Sequence, residues 1–340
     1  MKLKKDDVFI IAEAGVNHNG DLNRAIELCS IAVESGADAI KFQTWKTEKL
    51  VSKTARQAGY QKLNSGISQS QFNMLKELEL SEKDFVRLKN YCDNSNIEFL
   101  STPDEIDSLH FLRYDLGLKT IKIGSGELGN DIFLREVSKV SDTVILSTGM
   151  HEIIDIAHSV NVIREDLSTD LILLQCTSSY PCELENVNLR TMETLRRAFD
   201  CEVGFSDHTL GSTASIAAAV MGAKVIEKHF TQDRNLKGPD HLCSLEPNEL
   251  KEMIQSIRSI PLIMGTHHKK LLDCEKDTKL IATKVIVASK NINKGELFNE
   301  ENLVMMRTGE EGLSGKFYKS LLGNCSKNNY KIGELIKLEE

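Results

Sequence analysis

Residues 202–230 read EVGFSDHTLGSTASIAAAVMGAKVIEKHF. A short apolar run at 202–208 is followed by a stretch of helical period at 212–221 and by a second apolar run at 223–230. The two apolar runs are continuous rather than alternating, which is typical of strands that are covered on both faces. The stretch therefore predicts a strand, a helix and a second strand parallel to the first.

The same unit recurs along about the first 260 residues. Apolar runs that predict strands lie at 8–16, 39–44, 97–102, 120–125, 143–149, 171–178, 202–208 and 223–230. Helical patterns separate them at 23–35, 81–94, 132–140, 153–164, 188–198 and 212–221. About eight such units predict an α/β fold of the (β/α)8 TIM-barrel type. A doubly wound sheet is the alternative, but no GxGxxG motif follows the first strand, which removes the commonest use of that fold.

Two segments break this rhythm. A long polar insert at 46–70 follows the second strand on the side where barrel loops carry function, and it predicts a lid. After a helical pattern at 247–264, the polar stretch GTHHKKLLDCEKDTK at 265–279 reads as a linker with solvated histidines. The end of the chain contains an internal echo, SKNINKGELF at 289–298 and SKNNYKIGELI at 326–336. We therefore predict a barrel at 1–265, a linker at 266–280 and a small, mostly β domain at 281–340.

The composition narrows the class of protein. Of the 340 residues, 41% are hydrophobic and 27% charged, which is an ordinary globular balance. The net charge of −8 argues against nucleic acid as the main partner. No apolar run reaches the roughly 18 residues of a membrane span, and Glu13 interrupts the N-terminal run too soon for a signal peptide. The eight cysteines contain no CxxC pair, which predicts reduced thiols in the cytoplasm.

Polar side chains end nearly every predicted strand, and in a TIM barrel the chemistry lies at those ends. One group combines ammonium and hydroxyl groups that suit a phosphate or a carboxylate: Lys41, Thr102, Lys122, Ser125, Ser147 and Ser206. Each residue alone has a structural alternative, such as a paired lysine or a serine that caps a helix. The repetition of one pattern at one end of independent strands favours a site.

A second group could hold a metal. His208 and His229 end the seventh and eighth strands, which are neighbours, so both imidazoles could bind one divalent ion. Two histidines with oxygen ligands suit Mn²⁺, Zn²⁺ or Fe²⁺. Glu13 ends the first strand, beside the eighth once the barrel closes, where a carboxylate could orient water or move a proton.

Many motifs together resemble the sialic acid synthase family. They are IAEAGVNHNGD (11–21), ADAIKFQT (37–44), FLSTP (99–103), IKIGSGE (121–127), ILSTGM (145–150), QCTSSYP (175–181), GFSDHT (204–209), VIEKHFT (225–231) and GPDH (238–241). They span nearly the whole chain in order, and the C-terminal part resembles that family's antifreeze-like (SAF, β-clip) domain.

The resemblance implies a condensation of phosphoenolpyruvate with an N-acylated mannose-type sugar and water, giving a nine-carbon 2-keto acid and phosphate. It implies phosphoenolpyruvate contacts by Lys41, Thr102, Lys122, Ser125, Ser147 and Ser206, Mn²⁺ or Mg²⁺ on His208 and His229, catalytic carboxyls on Glu13 and Glu127, and sugar contacts by Gln43, Tyr180 and Asp240. Lys41 and Lys122 would neutralise the departing phosphate. Arg307 matches an arginine that enters the partner subunit's site, which implies a domain-swapped homodimer.

The chain departs from the family pattern at a few positions. Asp104 stands where Phe is frequent, Ser178 where some members carry Asn, and Thr308 where Pro often follows the arginine. The KFQT strand and the insert with Gly59, Tyr60 and Gln61 look closer to legionaminate synthases than to N-acetylneuraminate synthases. A pseudaminate-type synthase, a metal-dependent hydrolase and a non-catalytic sugar or acid binder are the alternatives.

Overall fold

A computed structural model describes residues 7–65, 69–166 and 168–338, and the chain divides into the units Met1–Gly265 and Thr266–Glu340. The first unit contains eight strands. They are β1 (Phe9–Gly15), β2 (Ala39–Thr44), β3 (Glu98–Pro103), β4 (Thr120–Ile123), β5 (Thr143–Ser147), β6 (Asp170–Cys176), β7 (Glu202–Asp207) and β8 (Val225–His229).

Eleven helices accompany these strands in the described part of the first unit. They are α1 (Leu22–Ser35), α2 (Thr47–Leu50), α3 (Gly59–Ser65), α4 (Gln71–Leu78), α5 (Glu82–Asn94), α6 (Ile106–His110), α7 (Asp131–Val140), α8 (Ile153–Ile163), α9 (Thr191–Phe199), α10 (Thr213–Val220) and α11 (Pro247–Met264). A π-helical turn follows α6 at Phe111–Asp115, and 3₁₀ turns lie at Ser125–Glu127, Leu184–Asn186 and His241–Cys243.

The first helix illustrates how the sequence sets these elements. Asp21 precedes α1, and its carboxylate accepts a hydrogen bond from the backbone N–H of Asn23 at 2.7 Å. Gly36 ends the helix at φ 83°, a left-handed conformation that favours glycine. The buried side chains of the helix recur three and four positions apart, at Ala25, Leu28, Cys29 and Ala32. This stripe packs against the sheet.

The eight strands form one parallel sheet in the order β3-β2-β1-β8-β7-β6-β5-β4. β1 pairs with both β2 and β8, so the first and last strands of the unit are neighbours. This arrangement confirms the predicted (β/α)8 barrel, and β7 and β8 pair with Asp207 opposite Lys228.

Two apolar cores follow from the alternation of side chains along each strand. The larger one lies between strands and helices and includes Phe42, Phe99 and Phe205. The smaller one fills the barrel interior and contains Ile11, Ala39, Leu100, Ile145, Ile172, Leu174 and Val225. This interior layer is the floor on which the polar residues of the site rest.

The insert at 46–70 is partly helical, with α2 and α3 inside it and α4 directly after it. Trp45, Met74 and Leu78 form a small buried cluster with Val16. Asn64 donates a hydrogen bond of 2.7 Å to the carbonyl of Pro239, in the loop that follows β8. The insert thus reaches the C-terminal face of the barrel, while residues 66–68 lie outside the described residues.

The second unit contains β9 (Val285–Ala288) and β10 (Leu303–Met306), which pair antiparallel, with α12 (Lys276–Ala282) and α13 (Tyr318–Leu321). Isolated bridges join Ile292 to Tyr330 and Leu297 to Cys325, so the two echoed sequences lie side by side. A core of its own includes Ile286, Phe298 and Tyr330. The segment predicted as a linker at 266–280 is helical from Lys276, where α12 begins. Among the described residues, no helix is long and apolar enough to cross a membrane.

We expect Gly204→Ala to lower the free energy of unfolding by about 3 kcal/mol, because the added methyl group would overpack a buried position. A Cβ at Gly204 would press against the backbone oxygen of Val225 and lie 2.6 Å from Leu174 Cδ2. Urea unfolding measures the effect. The matched control is Gly124→Ala: the described chain places no atom within 4 Å of its added Cβ, and φ is −71°. An unchanged midpoint for Gly204→Ala would contradict this account of the β7–β8 contact.

Candidate active site

A polar layer lies directly on the apolar floor of the barrel. Side chains two positions apart on a strand point to the same side, so Glu13 follows Ile11, Lys41 follows Ala39 and Glu227 follows Val225. The polar residues that the strands bring together here are all buried: Glu13, Lys41, Thr102, Lys122, Ser147, Ser206 and Glu227.

Lys41 is held among oxygen atoms. Its Nζ lies 2.8 Å from Glu13 Oε2, 3.0 Å from Thr102 Oγ1 and 3.8 Å from Glu227 Oε2. Although burial alone would lower it, the carboxyls of Glu13 and Glu227 hold the pKa of Lys41 above its ordinary value. Lys41 is therefore a fixed cation.

Lys122 lies on the other side of the Glu227 carboxylate from Lys41. Its Nζ donates to Ser147 Oγ at 2.8 Å and to the carbonyl of Ile123 at 3.1 Å, and it lies 3.6 Å from Glu227 Oε1. Ser206 donates a 2.8 Å hydrogen bond to the same Oε1. Burial lowers the pKa of Lys122, an effect that Glu227 opposes. Glu227 thus bridges the two ammonium groups.

The two carboxyls of this layer differ in acidity. Burial alone would raise the pKa of Glu227, but the ammonium groups of Lys122 and Lys41 lower it to about 2. Burial raises the pKa of Glu13 to about 7, even though Lys41 is 2.8 Å away. At neutral pH Glu227 is an anion, whereas Glu13 can take up or release a proton.

The two predicted metal ligands lie together at the rim of this layer. The ring centroids of His208 and His229 are 5.5 Å apart. His208 Nδ1 lies 2.8 Å from the carbonyl of Thr177, which can only accept, so Nδ1 carries the proton and Nε2 keeps its lone pair. Burial alone would lower the pKa of His208, but negative charge on the Cys176 sulfur and the hydrogen bond to Thr177 raise it above its ordinary value. The Nε2 lone pair belongs to the neutral form of this ring. Burial lowers the pKa of His229 well below its usual range, so that ring is neutral.

These imidazoles fit two positions around a divalent metal ion. His229 Nδ1 is buried without a hydrogen-bond partner among the described residues, and His208 presents Nε2, so each ring has an uncommitted nitrogen. No group of three or more His, Cys, Asp and Glu side chains surrounds a common point within the described ranges. The remaining ligands would therefore be water or substrate oxygens, which suit Mn²⁺ and Mg²⁺.

Further predicted residues line the upper part of the site. The Tyr180 ring centroid lies 4.0 Å from that of His208 and 5.9 Å from that of His229. Asp240 is buried, which raises its pKa to about 6 although His208 and Lys41 oppose this. Gln43 is half-buried on β2, in register with Thr102.

The remaining predicted residues are less closely tied to the polar layer. Glu127 is half-buried and accepts a 2.7 Å hydrogen bond from Asn130; burial raises its pKa. Asp104, where the sequence departs from the family pattern, follows β3; burial raises its pKa to about 7. Arg307 follows β10 and is exposed in the second unit.

Ser125 builds a cradle beside this layer. Its Oγ accepts the backbone N–H of Gly149 at 2.8 Å. A Cβ at Gly149 would press against Ser178 Oγ and lie 3.1 Å from Ser125 Oγ and 3.2 Å from Cys176 Sγ, so glycine lets these three side chains pack closely against the backbone.

Two residues of this site, Glu227 and Cys176, were not predicted to act there from the sequence. Glu227 lies two positions after interior Val225 and two before His229, so strict alternation along β8 marks it as facing the site. Cys176 Sγ lies 3.8 Å from His208 Nδ1, and the same alternation after Leu174 identifies it. The same alternation shows that Ser101, next to Thr102, faces away from the site; its hydroxyl forms a 2.7 Å hydrogen bond with that of Thr44.

Comparisons with known proteins identify the family of this chain. The NeuB family matches residues 28–269, and the SAF domain matches residues 283–340. The N,N'-diacetyllegionaminic acid synthase of Campylobacter jejuni is 44% identical over 331 residues, which cover 97% of this chain and 98% of that protein. The enzyme of the same name from Legionella pneumophila is 42% identical over 335 residues, covering 97% of this chain and 94% of that protein.

A solved structure extends the likeness to three dimensions. The N-acetylneuraminic acid synthetase of Leptospira borgpetersenii, in complex with citrate, superposes with a TM-score of 0.70 at 32% identity. The match covers 82% of this chain and 94% of that one. The chain therefore belongs to the NeuB family of sialic acid synthases and carries a C-terminal SAF domain.

Proposed function

We propose that this protein condenses phosphoenolpyruvate with 2,4-diacetamido-2,4,6-trideoxymannose and water, giving N,N'-diacetyllegionaminate and phosphate. It is a nonulosonic acid synthase of the NeuB family, a phosphoenolpyruvate-dependent transferase that forms a C–C bond. The observation that carries the proposal is the pair of buried lysines, Lys41 and Lys122, fixed beside His208 and His229 at the mouth of the barrel.

The lysines supply the site for phosphoenolpyruvate. Both ammonium groups are buried, and hydroxyls of Thr102 and Ser147 already lie within 3.0 Å and 2.8 Å of them. Buried cations with hydroxyl donors bind phosphate or carboxylate strongly, because little water competes. Ser125 and Ser206 would add hydroxyl contacts, and the lysines would neutralise phosphate as it leaves.

The carboxyls supply proton transfer and charge stabilisation. Carbon-3 of phosphoenolpyruvate attacks the sugar aldehyde, a C–C bond forms and carbon-2 becomes cationic. The anionic Glu227 stabilises that charge, and water adds to carbon-2 while Glu13 accepts the proton that the water loses. In the phosphate hemiketal that results, the bond between carbon-2 and the phosphate oxygen then breaks. The hydroxyl on carbon-2 becomes the keto group, and its proton leaves with the phosphate. Glu127 transfers the proton that the aldehyde oxygen needs.

His208 and His229 would hold the divalent ion, Mn²⁺ or Mg²⁺. When bound, such an ion acts as a Lewis acid that polarises the aldehyde oxygen of the sugar. The chain's own part is to fix the rings: Thr177 orients His208 at 2.8 Å, and Tyr180 lies against it.

The sugar side is formed by Gln43, Tyr180 and Asp240. The preference for the 6-deoxy diacetamido sugar is supported by the names of the two relatives at 44% and 42% identity, compared with 32% for the N-acetylneuraminic acid synthetase. One acetamido group in place of a hydroxyl changes which hydrogen bonds the pocket must satisfy, so a synthase can separate the two sugars.

Two further features belong to this proposal. The SAF domain carries Arg307 exposed after β10, which supports a homodimer in which Arg307 completes the partner's site. The eight cysteines contain no CxxC pair, and Cys92 donates a hydrogen bond of 3.7 Å to Cys29. This cysteine pattern supports reduced thiols and a cytoplasmic location.

The test is phosphate release from phosphoenolpyruvate with Mn²⁺, offering N-acetylmannosamine and 2,4-diacetamido-2,4,6-trideoxymannose in parallel. We expect release with the deoxy sugar at a kcat/KM at least about tenfold above that for N-acetylmannosamine. Reactions without sugar, and with the metal removed by chelation, are the controls.

The outcomes separate the alternatives. Release only with N-acetylmannosamine would make the protein a neuraminate synthase and overturn the assignment of the sugar. A folded, Mn²⁺-loaded protein that releases no phosphate with either sugar would contradict both assignments and favour a pseudaminate-type synthase or a non-catalytic binder.

A further inference from the structure

We propose that Asp207 and Lys228 are positioning residues that set His208 and His229 at the spacing needed to bind one divalent ion. Each precedes one of the two histidines in the chain, and the two pair in register between β7 and β8. The inference rests on the proposed metal site, and it concerns side chains that point away from the barrel interior.

The contacts of Asp207 close the turn that carries His208. Its Oδ1 accepts both the backbone N–H and the hydroxyl of Thr209, each at 2.8 Å. Its Oδ2 accepts the hydroxyl of Ser215 on α10 at 2.6 Å and lies 3.2 Å from Lys228 Nζ. His208 is therefore held between two residues that are bonded to each other.

Lys228 joins this turn to the strand that ends in His229. Its Nζ donates to the carbonyl of Thr209 at 2.5 Å as well as contacting Asp207. The backbone carbonyl of His208 also accepts from the N–H of Cys182 at 2.8 Å, so the turn is fixed on its other side. One ammonium group thus connects both histidine-bearing segments.

Stability alone gives a weak reason for this arrangement. Both side chains of the ion pair are fully buried, at 0% exposure. Removing two charges from water costs about as much as their attraction returns, and apolar residues of similar size often stabilise a fold better. Unlike an apolar pair, Asp207 and Lys228 form hydrogen bonds to the backbone N–H and carbonyl of Thr209. That bonding fixes the ring of His208 relative to that of His229, as outer contacts do at metal sites.

The test compares two double variants that carry the same charge change. Asp207→Asn with Lys228→Met keeps an oxygen that can accept from Thr209, whereas Asp207→Val with Lys228→Met removes it. We titrate each protein with Mn²⁺ alone, without substrates, and follow free Mn²⁺ by electron paramagnetic resonance. We expect the Asn variant, which loses only the contacts of Lys228, to bind Mn²⁺ about threefold more weakly than wild type. The Val variant loses the contacts of both residues, and we expect it to bind at least about tenfold more weakly than wild type.

A control lies at the other end of the barrel. Asp38 accepts from Arg258 at 2.5 Å and from the backbone N–H of Ile10 at 2.7 Å, so it too joins a strand through an ion pair. Asp38→Asn with Arg258→Met is expected to leave Mn²⁺ affinity unchanged. Thermal melts of all variants report folding. Should the Val variant fail to melt cooperatively, Thr209→Val, which deletes one bond to Asp207, is expected to weaken Mn²⁺ binding by about threefold.

Equal Mn²⁺ affinity in the folded Val and Asn variants would overturn the positioning role. Unchanged affinity in a folded Thr209→Val would do the same where the Val variant does not fold. A wild type that binds no Mn²⁺ would overturn the metal site and this inference together. Mn²⁺ binding by a wild type that releases no phosphate would overturn only the proposed reaction, since the titration involves no substrate.

Discussion

His208→Ala is expected to reduce metal-dependent phosphate release by at least about 1,000-fold, because it removes one of the two histidine ligands proposed for the metal ion. The deletion removes the Nε2 lone pair and leaves the carbonyl of Thr177 without the donor that lies 2.8 Å away. The other imidazole, on His229, then stands alone beside Glu13. Initial rates with Mn²⁺ and both substrates at saturation measure the loss.

The control is His158→Ala. That ring lies on α8, is 59% exposed and pairs with Asp131 at 2.8 Å, so its removal deletes a histidine without touching the barrel mouth. We expect wild-type rates from it. Phosphoenolpyruvate should still bind to His208→Ala, since Lys41 and Lys122 do not contact His208. Undiminished turnover by a folded His208→Ala would remove the metal assignment from this pair of residues.

The barrel and the position of its site could be predicted from the sequence because both depend on local patterns. Each buried strand is a short apolar run, and in parallel units all strands end on one face. Lys41, Lys122, His208 and His229 were identified from strand ends alone, and all four are buried at that face.

Contacts between strands could not be predicted in the same way. The role of Glu227 depends on two lysines from β2 and β4 reaching it at 3.8 Å and 3.6 Å, which is a fact of barrel closure and not of any one strand. Lys228 looks like another strand-end cation, yet alternation turns it outward to Asp207. Alternation along β8 separates Lys228 from Glu227, but only the register between β7 and β8 places Lys228 opposite Asp207, and no local pattern encodes that register.

The helices of the insert show a different limit. Residues 46–70 read as a polar loop because no apolar stripe longer than one turn is present. α2 and α3 form there as short segments whose polar ends are bonded within the fold: Thr47 donates its hydroxyl to Glu79 at 2.6 Å. Short helices are barely stable by propensity alone, so contacts with residues distant in the sequence stabilise them.

Arg307→Ala is expected to lower kcat/KM by about 100-fold while leaving each unit folded, because it deletes one exposed cation that would contact bound substrate in the partner subunit. Co-expression with His208→Ala then tests where Arg307 acts. In a domain-swapped dimer, random assortment makes half of the dimers mixed, and each mixed dimer has one site free of both defects. Recovery to about one quarter of wild-type activity is expected.

Lys294→Ala is the matched control, since Lys294 is also an exposed cation of the second unit and should change neither activity nor complementation. If Arg307 served the barrel of its own chain, every site in the mixture would carry one of the two substitutions. The two variants together would then stay inactive. Inactivity of the mixture, with each variant folded, would place Arg307 in its own chain's site and contradict the swapped arrangement; full activity of Arg307→Ala alone would remove it from the site.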